Sequence, residues 1–188
     1  MVTTRAATPD DAEAITRIRI RGWQTAYAGT VPADYLASLD AEIPRLIEVL
    51  RARIEAALPY HRIVVACRDG RVTGFANAGR YRIDQNRDNL DPVLGEVYAI
   101  YVEPAGWGRG TGQALMDAAV AWLDQVGLGP VLLWVLERNT RARAFYQRYG
   151  FAFDGERGAF VIEQAGQLPV QLPELRYRLP PAAQRPAG

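Results

Sequence analysis

Apolar positions along the chain switch between a helical and a strand period, and the switches mark out its elements. Val97 to Val102 is a β-branched and aromatic run, the mark of a buried strand, and Pro104 ends it. Pro130 to Leu136 is almost continuously apolar, as a central strand covered on both faces should be. Between them Leu115, Met116, Ala119, Val120, Leu123 and Val126 recur at helical spacing, and Gly127 supplies the stop. Near the start, Thr8-Pro9-Asp10-Asp11 gives a cap, a first-turn proline and acids to a helix running through Ile15, Ile18 and Trp23, although Ile20 breaks its stripe. Ile43, Leu46, Ile47, Leu50, Ile54 and Leu58 trace another helix from Glu42 to Leu58, closed by Pro59.

The remaining segments read as strands and connections. Val2 to Ala6 is a short first strand, and Arg62 to Arg68 and Val72 to Ala78 are two more, joined by the hairpin turn Asp69-Gly70. The polar stretch from Arg80 to Pro92 predicts a loop, either a substrate lid or a plain solvated connection. Ala142, Phe145, Tyr146 and Tyr149 share one helical face, and Gly150 ends that helix. Phe151 to Asp154 and Glu174 to Leu179 pair across a long irregular connection. Pro180 onward has the composition of a disordered tail. Strands alternating with helices predict an α/β fold, with one domain over residues 1–179 and a tail over 180–188.

Composition narrows the chemistry. Charged residues make up 23% of the chain and the net charge is +1, so no basic stripe suggests nucleic acid. Every basic side chain besides His61 is arginine, which removes catalytic lysine. One cysteine, Cys67, and one histidine leave no disulfide and no zinc site. With no apolar leader and no run of about 18 apolar residues, a cytoplasmic, non-membrane protein is expected. His61 falls at a strand start, more in the manner of a pocket-rim side chain than of a catalytic one, and Cys67 reads as a small core residue.

The chemistry concentrates where the strand ending at Val102 meets the helix starting near Thr111. Gly106, Gly108, Gly110 and Gly112 lie between, so free backbone N–H groups and a helix N-terminus come together, as a phosphate requires. The dinucleotide fingerprint fails on spacing, because its last glycine would fall on Thr111 or Gln113; a Walker loop fails for want of lysine. The loop alone leaves open a ligand-free glycine turn.

Trp107-Gly-Arg-Gly110-Thr-Gly112 resembles the acyl-CoA loop of the GNAT superfamily of N-acetyltransferases, Gln/Arg-x-x-Gly-x-Gly/Ala, with Trp107 at the Gln/Arg position. Asn139-x-x-Ala142-x-x-Phe145-Tyr146-x-x-x-Gly150-Phe151 resembles that family's second signature at every named position, in the family's order. The resemblance implies a central mixed sheet of about seven strands, splayed in the middle and flanked by helices. It implies acetyl-CoA as cosubstrate, no metal, and cofactor contacts from Ile100, Tyr101, Val102, Trp107, Gly108, Arg109, Gly110, Thr111, Gly112, Asn139, Ala142 and Tyr146. Tyr146 matches the tyrosine that protonates the departing thiolate. Glu96, flanked by Leu94 and Tyr98, stands where many members carry a basic glutamate, with an exposed strand-end carboxylate as its alternative. Trp23 and Tyr27 fall where the acceptor pocket is walled, or are packing residues of a helix.

The expected function is acetyl transfer to a primary amine, on a small molecule or a peptide, by direct attack in a ternary complex. A non-catalytic acyl-CoA-binding module and a transferase of longer acyl groups are the alternatives. A homodimer stays open.

Overall fold

A computed structural model describes residues 1–163 and 169–185 of the chain. Among these, β1 (Thr3–Ala6), β2 (His61–Arg68), β3 (Arg71–Arg82), β4 (Leu90–Val102), β5 (Val131–Leu136), β6 (Ala152–Ile162) and β7 (Val170–Leu179) form a seven-stranded sheet in the order β1-β2-β3-β4-β5-β7-β6. All neighbours run antiparallel except β4 and β5, which are parallel. The Asp69-Gly70 turn joins β2 to β3 with both residues at positive φ, 51° and 77°, as a tight two-residue hairpin demands.

Helices cover the two faces unequally. α4 (Thr111–Gln125) and α5 (Thr140–Tyr149) close one face, where Leu115, Met116, Ala119, Leu123 and Tyr146 pack on Val97, Leu133, Val135 and Tyr177. α1 (Ala12–Ala26) and α3 (Ile43–Glu55) lie on the other, through Ile15, Ile18, Leu50 and Ile54 against Ile63, Val65 and Phe75. Ile20, which interrupts the α1 stripe in sequence, is nevertheless buried. α2 (Ala33–Ser38) joins Trp23, Tyr27, Phe160 and Leu172 in a third apolar cluster beside the β6–β7 hairpin.

Four expectations are corrected. The polar stretch 80–92 is mostly strand: β3 runs on to Arg82, β4 starts at Leu90, and Arg82 pairs with Leu90, so the true connection is 83–89. Alternation is invisible there because this end of the hairpin carries few apolar side chains. β6 and β7 are likewise longer than predicted, and a register shift between Phe153 and Arg157 accommodates Gly155 at φ 100°. The part of their connection spanning 164–168 lies outside the described residues. The third helix ends at Glu55, which leaves Leu58 exposed. The tail is not disordered from Pro180: Ala182–Gln184 forms a 3-10 turn and Arg185 makes a bidentate ion pair with Asp124. Residues 186–188 lie outside the described residues.

Candidate active site

The sheet opens between β4 and β5. Their parallel ladder holds only at Gly95 with Val131 and Glu96 with Leu132, while β4 continues to Val102 and β5 to Leu136. On its other side β4 stays paired with β3 as far as Val102 opposite Gly74. The β5-facing backbone groups of β4 beyond Glu96 therefore have no strand partner. Such groups are obligatory hydrogen-bonding sites, so the gap offers free donors and acceptors that an extended polar chain could pair.

A bulge directs the side chains along that opened strand. Asn77 pairs with Ala99 and Ala78 with Val97, so Tyr98 is the extra residue. Val97, Ile100 and Val102 pack toward α4, whereas Ala99 and Tyr101 pack toward α1 and α3. The Tyr98 hydroxyl donates to the Arg80 carbonyl, and its ring lies between Arg82, 4.6 Å from guanidinium carbon to centroid, and His61, at 6.1 Å. Burial, with Arg53 second, lowers the pKa of His61. Tyr101 is accommodated by Gly22 of α1, where an added Cβ would lie 2.6 Å from the ring.

Glu96 is neither the exposed carboxylate nor the apolar-flanked base that the sequence offered. It lies well inside β4, fully buried, and Arg82 holds it: Nη2 donates to Oε1 at 2.5 Å, while Nε and the backbone N–H donate to Oε2 at 3.1 and 2.9 Å. Arg82 lies in the stretch read as loop, which is why the pair was illegible.

The glycine loop closes the wide end of the cleft. Gly108 and Gly110 take φ 73° and 83°, a backbone conformation that favours glycine, and an added Cβ at either would meet nothing within 4 Å. Gly110 caps α4, leaving the first N–H groups of that helix free of intrahelical partners. Gly112 lies against Phe145, where an added Cβ would be 3.6 Å from the ring. Trp107 donates its indole N–H to the Val102 carbonyl at 2.9 Å, and the Arg141 guanidinium stacks on its ring at 3.7 Å. The Arg68 guanidinium donates to the Arg109 carbonyl at 3.3 Å. Thr111 is 1% exposed with its hydroxyl unpartnered, so it points to the core rather than to a ligand.

Asn139 caps α5 by accepting from the Ala142 N–H at 3.1 Å. Burial raises the Tyr27 phenol pKa, partly offset by hydrogen bonding with Asn139 and Tyr101. Burial, with Tyr27 second, also raises the phenols of Tyr101 and Tyr146. Tyr27 at the end of α1, Tyr101 of β4, and Asn139 and Tyr146 of α5 thus come from three elements. The Tyr146 hydroxyl makes no hydrogen bond among the described residues, although its ring is packed by Phe145, Phe151 and Tyr177. Trp23 is set apart in its aromatic cluster, 4.8 Å from Tyr27 and 5.2 Å from Phe160.

Sequence reasoning missed Glu174. It is 8% exposed on β7, opposite Leu136 and Gly158, and accepts from Gln85 at 3.2 Å. Burial raises its pKa, with Gln85 and Arg82 opposing and Glu96 adding to the rise. A glutamate between apolar β7 neighbours was the available signal.

The family model for the acetyltransferase (GNAT) family matches residues 25–151, which contain the opened strand, the glycine loop and α5. The chain is 32% identical over 149 residues to the N-acetyltransferase YuaI of Bacillus subtilis strain 168, covering 79% of each. It is 31% identical to a mycothiol acetyltransferase of Mycolicibacterium paratuberculosis, covering 84% of this chain but only about half (53%) of that one. Among solved structures, the PaiA N-acetyltransferase of Thermoplasma acidophilum in complex with coenzyme A superposes with a TM-score of 0.70 at 16% identity, over 96% of this chain and 99% of the other. YncA of Salmonella typhimurium with acetyl-CoA gives 0.61 at 22%, over 100% and 97%. No helix among the described residues is long and apolar enough to cross a membrane. By the extent of both the family match and the relative's coverage, the chain belongs to the GNAT acetyltransferase family and is an N-acetyltransferase.

Proposed function

We propose that the chain transfers the acetyl group of acetyl-CoA to a primary amine by direct attack in a ternary complex. The observation that carries this is the unpaired β5-facing edge of β4, followed in the chain by the glycine loop and the N-terminus of α4, which no side chain caps. The thioester supplies the activated acyl group. Backbone groups of Ile100, Tyr101 and Val102 hold the pantetheine arm as a neighbouring strand would, and the N–H groups from Gly108 to Gly112 hold the pyrophosphate at the α4 N-terminus. Arg109 and Arg141 add charge at the lip of that loop. Two relatives in fold were crystallised with coenzyme A or acetyl-CoA, in support of the same occupant here.

Tyr146 is the acid for the departing thiolate. Its buried phenol stays protonated across the working pH range, and its hydroxyl is uncommitted. Asn139 shapes the α5 N-terminus beside it and, with Tyr27, lines the passage to the acceptor. Trp23 backs Tyr27. Glu96 takes the amine proton through water rather than by contact, because it is buried and its donors come from Arg82 alone; the lone pair left on Oε1 is the relay point.

Thiol release from acetyl-CoA over a panel of primary amines tests this, with calorimetry of CoA binding alongside. Tyr146→Phe should lower kcat by about 10²-fold, the scale of lost acid catalysis, with little change in CoA affinity. Absence of CoA binding in the wild-type protein would end the proposal. Tight binding with flat rates for every amine and acyl-CoA would favour a binding module, and turnover only with longer acyl-CoA would change the donor.

A further inference from the structure

Alternation along β7 sends Leu175, Tyr177 and Leu179 into the core under α4. Leu172, Glu174 and Arg176 are left on the opposite face, which they share with Glu96 of β4 and with Trp134 and Leu136 of β5. Leu136 and Leu172 belong there to the apolar cluster of Trp23, Tyr27 and Phe160. Glu174 pairs with Leu136 and lies two residues from Leu172, so it borders the aromatic wall assigned above to the acceptor. Leu136 is itself four residues beyond Leu132, the last β5 residue paired with β4, which puts Glu174 level with the open part of the gap.

The charge on Glu174 is not answered. Its side chain is buried at 8% exposure, and among the described residues only the Gln85 amide donates to it, to Oε2 at 3.2 Å. Oε1 accepts from none of them. The cations nearest on this face are engaged elsewhere. Arg82 holds Glu96, while Arg176 donates to Asp154 at 2.7 Å and to the Tyr81 hydroxyl at 3.0 Å. A neutral amide is a poor counter-group for a buried carboxylate, which costs stability until a cation joins it. Glutamine at this position would serve Gln85 equally well without that cost.

The surroundings suit a cation. Gly158 pairs with Glu174, and an added Cβ there would lie 3.0 Å from the Trp134 ring and 3.2 Å from the Gln85 amide nitrogen. The missing side chain thus lets an indole and an amide converge beside the carboxylate, and an aromatic face attracts ammonium and guanidinium. Asp84 and Gln85, at φ 53° and 56°, carry that amide over the sheet on a left-handed turn. In the free chain a neutral donor therefore occupies part of the place that a cation would take.

We propose that Glu174 is the counter-ion for a second cationic centre of the acceptor, so that the substrate is a primary amine joined through a chain to another ammonium or a guanidinium. β5 lies between β7 and β4, and two strand spacings set Glu174 about 10 Å from the edge of β4. The cation seated there is thus not the nitrogen that attacks the thioester but one several bonds away. Glu174 acts as a specificity-determining residue. The inference rests on the acetyl-transfer proposal and deepens it.

Kinetics and calorimetry test it separately, using linear α,ω-diamines of increasing length, each beside the monoamine of the same chain. With acetyl-CoA, the best diamine should exceed its monoamine in kcat/KM by about tenfold or more, the scale of one charge-assisted contact. In Glu174→Gln that ratio should fall to near unity, mainly through the KM for the diamine, while the KM for acetyl-CoA holds. Glu174→Asp, which keeps the charge on a shorter arm, should retain part of the ratio. Calorimetry on the CoA-loaded protein, which cannot turn over, should show the same diamine preference and the same loss in Glu174→Gln. No preference for any diamine, or a preference that survives Glu174→Gln, would overturn the inference. A wild-type protein that binds CoA but acetylates none of these amines would sink the acetyl-transfer proposal instead, and the binding preference alone would then decide this one.

Discussion

The guanidinium of Arg141 lies flat over the indole of Trp107, 3.7 Å from carbon to ring centroid, and that indole is itself pinned by its N–H to the Val102 carbonyl at 2.9 Å. Trp107 occupies the position where the family signature has Gln or Arg. A cation is thus present at the loop, but it comes from α5. Stacking on tryptophan is worth about 0.5–2 kcal/mol, enough to pre-organise a long side chain. Arg141→Ala should raise the KM for acetyl-CoA about tenfold, the scale of one charge-assisted contact, yet leave acetyl-pantetheine, which lacks the phosphates, unaffected. Trp107→Arg sets two guanidiniums against each other and should weaken CoA binding by calorimetry. Wild-type affinity in that variant would show that the backbone alone does the binding.

Glu96 and Arg82 are a buried pair, so losing one partner strands the other. Arg82→Met should destabilise the protein by about 3–5 kcal/mol in urea unfolding, the usual consequence of an uncompensated buried charge. Glu96→Gln loses one acceptor oxygen and turns an amide N–H toward Arg82, but it strands a guanidinium that is 20% exposed rather than a fully buried carboxylate, so it should cost less. It should nevertheless lower kcat if the carboxylate relays the amine proton. Undiminished kcat in Glu96→Gln would remove that role.

Glu174 gives stability a pH dependence of definite sign. Its pKa in the folded chain lies above the ordinary glutamate value of 4.5, through burial first. The folded state therefore binds the proton more tightly than the unfolded chain does. This contribution to stability is complete below about pH 4.5 and is lost as pH rises through the elevated folded value. Glu174→Gln keeps an acceptor for Gln85 and removes the buried charge. Thermal melts should show the variant more stable than wild type near pH 8, with the difference closing toward pH 4. A constant difference across that range would show that the charge is not the cause.

Gly22 sits in the middle of α1, where alanine would ordinarily favour the helix by about 1 kcal/mol. Here the added Cβ would lie 2.6 Å from Tyr101. Gly22→Ala should instead destabilise by about 1–3 kcal/mol, as overpacking does, and should disturb Tyr27 through its bond to Tyr101. A raised melting temperature would show that α1 yields more easily than the tyrosine.

The frame was legible where one chemical signal dominates. Val97 to Val102 and Pro130 to Leu136 are apolar because both sheet faces are covered, and the glycine loop and Asn139 to Phe151 carry their spacing openly. The site's polar half was not legible. Arg82, Gln85 and Glu174 are remote in sequence from the signatures and meet only because β3 extends past its apolar portion and turns over toward β7.

The parting of β4 from β5 has a mechanical consequence. A sheet interrupted at its centre is divided into two halves whose strand pairing is confined to Gly95 and Glu96, with the helices and the side-chain bonds Gln85–Glu174 and Tyr81–Arg176 bridging them. A ligand lying along the gap would bridge both halves in the manner of a missing strand. Loading the donor should then stiffen the whole molecule, with slower amide exchange in β5 and β7 as well as in the loop. Each release of product would return it to a looser two-part state.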